Sequence, residues 1–195
     1  MAQFRARQII GKWKEGFALD VHTLSSIPIG HNEFGHMQFE TTRSDAGELL
    51  FKLKNRRDTS TVDELVAAVV SHLKTWNPPI EMIVPVPPSS PRTIQPVMLL
   101  AKGISDQLPI PLVECVTKTR ATPQLKNIFD LDERLKALDG VHTVDASVTL
   151  GRKILLLDDL YRSGATMNAI TTLLYEEGKA ADVFALTITR TRSFR

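Results

Sequence analysis

The stretch Ile154-Leu155-Leu156-Leu157-Asp158-Asp159-Leu160-Tyr161-Arg162-Ser163-Gly164-Ala165-Thr166 concentrates the chemistry of this chain. Its four apolar residues read as a buried strand. The two carboxylates that follow lie at the strand's C-terminal end, where open α/β sheets take their ligands. The small residues Ser163, Gly164 and Ala165 let backbone amides approach an anion closely, and a helix starting there favours phosphate through its free N–H groups and dipole. Ser163 and Thr166 add hydroxyl donors, and Arg162 adds charge. Two acids beside an anion cradle would repel a bare polyanion but suit a phosphorylated sugar. The amides would hold its phosphate while Asp158 and Asp159 accept hydrogen bonds from its hydroxyls. A shorter pattern would read equally well as a strand end followed by a Ser163 helix cap; the full length of the pattern argues for a site.

The elements around this segment must place it at a sheet edge, and they alternate accordingly. Thr61 and Glu64 have capping-box spacing. Leu65, Val66, Val69, Val70 and Leu73 then recur at helical period until Asn77-Pro78-Pro79 ends the helix. Residues 82–86 read as a strand and 94–108 as a helix with Pro96 in its first turn. Residues 112–116 read as a strand, 117–130 as a long polar loop, 131–138 as a short helix and 141–144 as extended. A helix over 165–177 ends at Gly178, and a strand over 183–189 closes the series. Buried four-residue strands between helices predict a parallel sheet covered on both faces.

Residues 1–60 read differently. Residues 17–23 form a strand and Ser25–Gly30 a turn-rich stretch. Residues 37–42 and 49–53 alternate with period two about Ser44-Asp45-Ala46-Gly47, which predicts a β-hairpin. The expected organisation is one compact α/β unit, with a β-rich subregion at 1–60 and a ligand-binding core at 61–195.

Composition narrows the function classes. A chain of 195 residues with 43% hydrophobic and 24% charged residues has the make-up of one globular domain. The 24 basic and 22 acidic residues leave +2, too near neutral for a general nucleic-acid or membrane binder. A single cysteine, Cys115, excludes an internal disulfide framework and a multi-thiolate zinc site. Without an apolar signal core or a membrane-length run, the expected location is the cytoplasm. Walker A, Gly-x-Gly-x-x-Gly and Gly-x-Ser-x-Gly patterns are absent from the sequence. His31-Asn32-Glu33-Phe34-Gly35-His36 matches no helical zinc spacing and is explained by turn chemistry.

Residues 154–166 resemble the phosphoribosyl-pyrophosphate (PRPP) motif of type I phosphoribosyltransferases. Val84-Pro85-Val86-Pro87-Pro88-Ser89-Ser90-Pro91-Arg92 resembles the pyrophosphate loop of their ComF-like branch. Thr117–Gln124 falls where that branch has its flexible catalytic loop, and Glu48–Asp58 resembles the segment before its first core helix. Two features depart from the pattern: Tyr161-Arg162 in the motif, and residues 1–47, which contain no cysteine where many ComF-like proteins carry a zinc ribbon.

The resemblance implies a three-layer type I phosphoribosyltransferase fold with a β-rich N-terminal hood, in which His22, His31 or His36 could line an acceptor pocket. It implies Mg²⁺-dependent transfer of ribose 5-phosphate from PRPP to a small-molecule nitrogen nucleophile, with release of pyrophosphate. PRPP would be bound by Pro87, Pro88, Arg92, Asp158, Asp159, Arg162, Ser163, Gly164, Ala165 and Thr166, with Mg²⁺ at or near Asp158 and Asp159. Lys118 and Arg120 would close over the leaving group. A homodimer or a protein partner is left open. A glutamine-dependent reaction is not implied, because the chain is too short for a glutaminase domain and lacks an N-terminal cysteine nucleophile. The second reading keeps the pocket without the chemistry: a non-catalytic PRPP- or nucleotide-sensing module acting through a protein or nucleic-acid partner. Arg92, Lys118 and Arg120 favour the enzyme.

Overall fold

The computed structural model describes residues 4–89, 93–120, 133 and 137–192. Along the chain run β1 (Arg7–Gln8), β2 (Glu15–Val21), β3 (Thr23–His31), β4 (Met37–Arg43), α1 (Asp45–Phe51), α2 (Val62–Trp76), β5 (Met82–Pro85) and α3 (Pro96–Gln107). They are followed by β6 (Val116–Lys118), β7 (His142–Val144), α4 (Ala146–Thr149), β8 (Lys153–Tyr161), α5 (Ala165–Glu176) and β9 (Asp182–Arg190). A π-helical stretch, Lys52–Arg56, extends α1, and a 3₁₀ turn, Thr59–Thr61, leads into α2.

Five strands form the central sheet in the order β1-β2-β9-β8-β5. All neighbours are parallel except β1 and β2. Period-two alternation along β8 and β9 sorts side chains into two layers. Leu155, Leu157, Phe184 and Leu186 pack with Leu50, Leu53, Leu65, Val69 and Leu100 of the α1–α3 side. Ile154, Leu156, Val183 and Ala185 pack with Met167, Ile170 and Leu174 of α5. With both faces covered, the strands must read as unbroken apolar runs, as they do. The expected three-layer α/β fold with a mainly parallel sheet is the observed one.

The structure corrects several local expectations. Residues 49–53 are helical, not a strand. The Ser44 hydroxyl accepts from the Gly47 amide at 3.0 Å and caps α1, so the supposed turn residues are a helix start. Ala46, Leu50 and Leu53 are the buried positions, a helical spacing. The hairpin partner of β4 is β3, so Ser25–Gly30 is strand and not turn. Register shifts between Thr23 and Ser25 and between Pro28 and Gly30 absorb the proline, which an edge strand tolerates.

The capping box does not form. The Thr61 hydroxyl donates to the Asp58 carbonyl at 2.9 Å, and the Asp58 carboxylate accepts from the Ser60 amide at 3.1 Å, starting the 3₁₀ turn instead. Leu112 makes only a bridge to Ile83, and β6 pairs with β7 in a separate sheet. The predicted 131–138 helix and the 121–130 part of the predicted loop fall almost wholly outside the described residues. The boundary drawn at residue 60 cuts across the main sheet, because β1, β2 and α1 are integral to the core. Within residues 4–60 the β3–β4 hairpin lies outside that sheet, with Ile27, Ile29, Phe34 and Phe39 exposed. Among the described residues no helix is long and apolar enough to cross a membrane.

Candidate functional site

Strand β8 is fully buried from Ile154 to Leu157 and then emerges, leaving Asp158 and Asp159 half-buried at the sheet's upper edge. The Asp158 carboxylate accepts from the Asp159 amide at 2.8 Å. Asp159 is held by Lys54, whose Nζ lies 2.7 Å from Oδ2. Burial, reinforced by the charge of Asp159, pushes the Asp158 carboxyl up to about 8, against the opposing pull of the Asp159 amide and Lys54. The two acids are therefore unequal: Asp159 has a cation and Asp158 is the group that tends to keep a proton.

Three residues, 162–164, connect β8 to α5. Gly164 turns the chain at φ +74° and begins the helix, and no side chain caps α5. Its first-turn amides and dipole are thus presented to whatever lies beyond the strand end. A Cβ at Gly164 would lie 2.7 Å from Tyr161 Cε2, so both the positive φ and the close approach require glycine. The Tyr161 hydroxyl donates to the Ile10 carbonyl at 3.0 Å, and its ring meets Trp13 edge-on. The Lys12 amide donates to the Asn168 side chain at 2.7 Å. The loop is thereby braced from the N-terminal segment.

A cleft of about 200 Å³ opens beside the acids, bordered by Lys54, Pro87, Pro88, Ser89, Asp158, Asp159 and Thr166. The structure thus brings together the acid pair, one hydroxyl of the α5 start and the described part of the proline loop. Lys118 approaches this rim, donating from Nζ to the Ser89 carbonyl at 3.2 Å. Arg120 does not join it; its guanidinium donates to the Asp139 carbonyl at 2.8 Å. Arg162 is exposed and Ser163 half-buried, and neither borders the cleft, nor do Gly164 and Ala165, which are buried at the helix start. Arg92 lies outside the described residues.

Lys54 escaped the sequence reading. Its signal was faint: a lysine within Glu48–Asp58, placed by a π-helical stretch of the kind that frequently marks functional positions. His22 sits near the same acids, with Nδ1 3.1 Å from the Thr189 hydroxyl. Burial, then Arg43 and Lys54, lower its pKa, while Asp159 opposes them. His31 and His36 lie exposed on the hairpin. Among the described residues no group of three or more His, Cys, Asp or Glu is placed to hold a metal. Two adjacent carboxylates fit a Mg²⁺ ion that takes its other ligands from water and substrate phosphates, the usual manner of that ion.

No family model matches the chain, and a search of curated proteins returns no match. Solved structures do resemble it. An adenine phosphoribosyltransferase from Trypanosoma brucei, in complex with AMP, pyrophosphate and ribose 5-phosphate, is 13% identical with a TM-score of 0.50, over 94% of this chain and 74% of that one. An allosteric regulatory enzyme of purine biosynthesis is 15% identical with a TM-score of 0.50, over 88% of this chain. A glutamine PRPP amidotransferase from B. subtilis, complexed with ADP and GMP, is 17% identical over 80% of this chain with a TM-score of 0.48. The chain spans 44% of the length of the second and 34% of the third. The two likenesses at 0.50 show the fold, that of the type I phosphoribosyltransferases.

Proposed function

We propose that the chain is a phosphoribosyltransferase of the ComF-like branch, transferring ribose 5-phosphate from PRPP to a nitrogen nucleophile with release of pyrophosphate. The observation that carries the reading is the Asp158–Asp159 pair, bordering one cleft with Thr166 of the uncapped α5 start and with the Pro87–Ser89 loop. Each part then has a task. The uncapped N-terminus of α5, which reaches the cleft at Thr166, takes the 5-phosphate. Asp158 and Asp159 accept from the ribose hydroxyls, which orients the ring and favours positive charge developing at its anomeric carbon. Neither needs to remove a proton from the acceptor. Lys118 stands at the loop assigned to pyrophosphate, where a cation favours the departing charge. Mg²⁺, held by Asp158 and Asp159 together with the substrate's oxygens, would supply further charge neutralisation on the pyrophosphate. The β3–β4 hairpin and His22 are the parts available to form the acceptor side.

Calorimetric titration with PRPP in the presence of Mg²⁺ tests the reading. Micromolar binding is expected, and Asp158→Asn with Asp159→Asn should weaken it at least about tenfold, a loss of about 1.4 kcal/mol. Equal affinity in the variant would remove these acids from the site. Binding without pyrophosphate release from any base or amine would leave a sensing module in place of an enzyme.

A further inference from the structure

The Lys54–Asp159 pair lies inside the cleft, not on its outer surface. The side chains are 23% and 16% exposed, with Nζ and Oδ2 2.7 Å apart. A ribose hydroxyl must therefore compete with the ammonium for Oδ2. Among the described residues bordering the cleft, Lys54 is the one cation, facing Asp158 and Asp159. A ligand carrying pyrophosphate brings several negative charges into this space, and a lysine will exchange one carboxylate for such a group when its stem can reach. Lys54 has that freedom, with a flexible four-carbon stem and three rotatable donors. The same cleft is bordered by the Pro87–Ser89 loop. Its backbone also differs from a regular helix: the π-helical stretch Lys52–Arg56 ends at Arg57 in the left-handed region, φ +57°.

We propose that Lys54 changes partner during the binding cycle, holding Asp159 before substrate enters and then moving to the substrate's pyrophosphate, which releases Asp159 to the ribose. The exchange links two halves of one ligand. The pyrophosphate end draws the lysine away from the acid at the sugar end, so ribose 5-phosphate alone meets an Asp159 whose Oδ2 is contested by Lys54 and PRPP does not. Lys54 in this role is a binding and positioning residue, and the inference rests on the PRPP reading of the cleft.

Two part-ligands separate the inference from that reading: pyrophosphate with Mg²⁺, and ribose 5-phosphate, each titrated by calorimetry into wild type, Lys54→Met and Lys54→Arg. Lys54→Met should weaken pyrophosphate binding at least about tenfold. It should leave ribose 5-phosphate unchanged or bind it more tightly, because Asp159 is freed. Lys54→Arg retains the charge and grips Asp159 with a fork of donors, so it should weaken ribose 5-phosphate and keep most pyrophosphate affinity. A merely structural lysine would shift both ligands in the same direction. Equal losses for both ligands, or none, overturn the exchange while leaving the PRPP site standing. If Lys54→Met does not fold, the Lys54→Arg contrast decides alone. Wild type that binds PRPP but not pyrophosphate overturns the exchange alone, and wild type that binds neither PRPP nor either part-ligand overturns both readings.

Discussion

Replacing Gly164 by alanine should damage the anion cradle through two separable costs. At φ +74° an L-residue sits in the left-handed region, worth about 1–2 kcal/mol. The new Cβ would also stand 2.7 Å from Tyr161 Cε2 and 3.1 Å from its hydroxyl. Relieving that overlap means moving the ring, a repacking cost of about 1–3 kcal/mol, and it strains the Tyr161–Ile10 hydrogen bond. The sum is about 2–5 kcal/mol, equivalent for a chain of this size to a melting point roughly 4–20 °C lower. Urea denaturation followed by tryptophan fluorescence measures it, and a Tyr161→Ala background divides the terms. There the overlap is gone and the Gly164→Ala penalty should shrink to about 1–2 kcal/mol. An equal penalty in both backgrounds would show that the ring does not crowd residue 164. No penalty in either would refute the left-handed turn and, with it, this account of how the helix start is presented.

Two further predictions concern the same sheet. Between about pH 4 and 8 the folded chain holds a proton on Asp158 that the unfolded chain has released, so this group makes stability fall as pH rises. Urea denaturation at pH 5 and pH 8 should show that loss in the substrate-free wild type and a smaller one in Asp158→Asn; equal losses would end the burial argument. Thr171 and Thr187 each bury a hydroxyl without a partner among the described residues, so Thr171→Val or Thr187→Val should raise stability by about 1 kcal/mol, and a lower melting point for both would reveal partners for these hydroxyls.

The parts of the fold legible in the sequence were those where burial is symmetrical or periodicity unambiguous. Ile154–Leu157, a short apolar run, reads as a buried strand, and the spacing of Leu65, Val69 and Leu73 reads as a helix. The segment 44–56 was misread for a physical reason: Ser-Asp-Ala-Gly serves a turn and a helix N-terminus equally, and Leu49, Phe51 and Leu53 mimic alternation while Ala46, Leu50 and Leu53 carry the helical face. That error hid Lys54, since a residue assigned to a hairpin strand is not expected at a helical sheet edge. The acid pair and the helix start were readable because they are contiguous in sequence. Pro87, Pro88 and Lys118 were reached through the family resemblance, whereas the direction taken by Arg120 depends on the position of Asp139, which no local pattern encodes.

The bracing of the β8–α5 loop has a consequence for assembly. Ile10 reaches Tyr161, Lys12 reaches Asn168, and Lys14 pairs with Asp182 at 2.8 Å. Residues 10–14 leave the ribosome long before their partners and must wait, uncovered, for about 150 residues of synthesis. Such distant closures come late in folding because the intervening chain must be ordered first. A nascent or shortened chain ending before residue 161 lacks α5 and β9, so its residues 10–14 have none of these partners. The cradle therefore appears only when the whole sheet has closed, which makes ligand binding a report on complete folding as well as on chemistry.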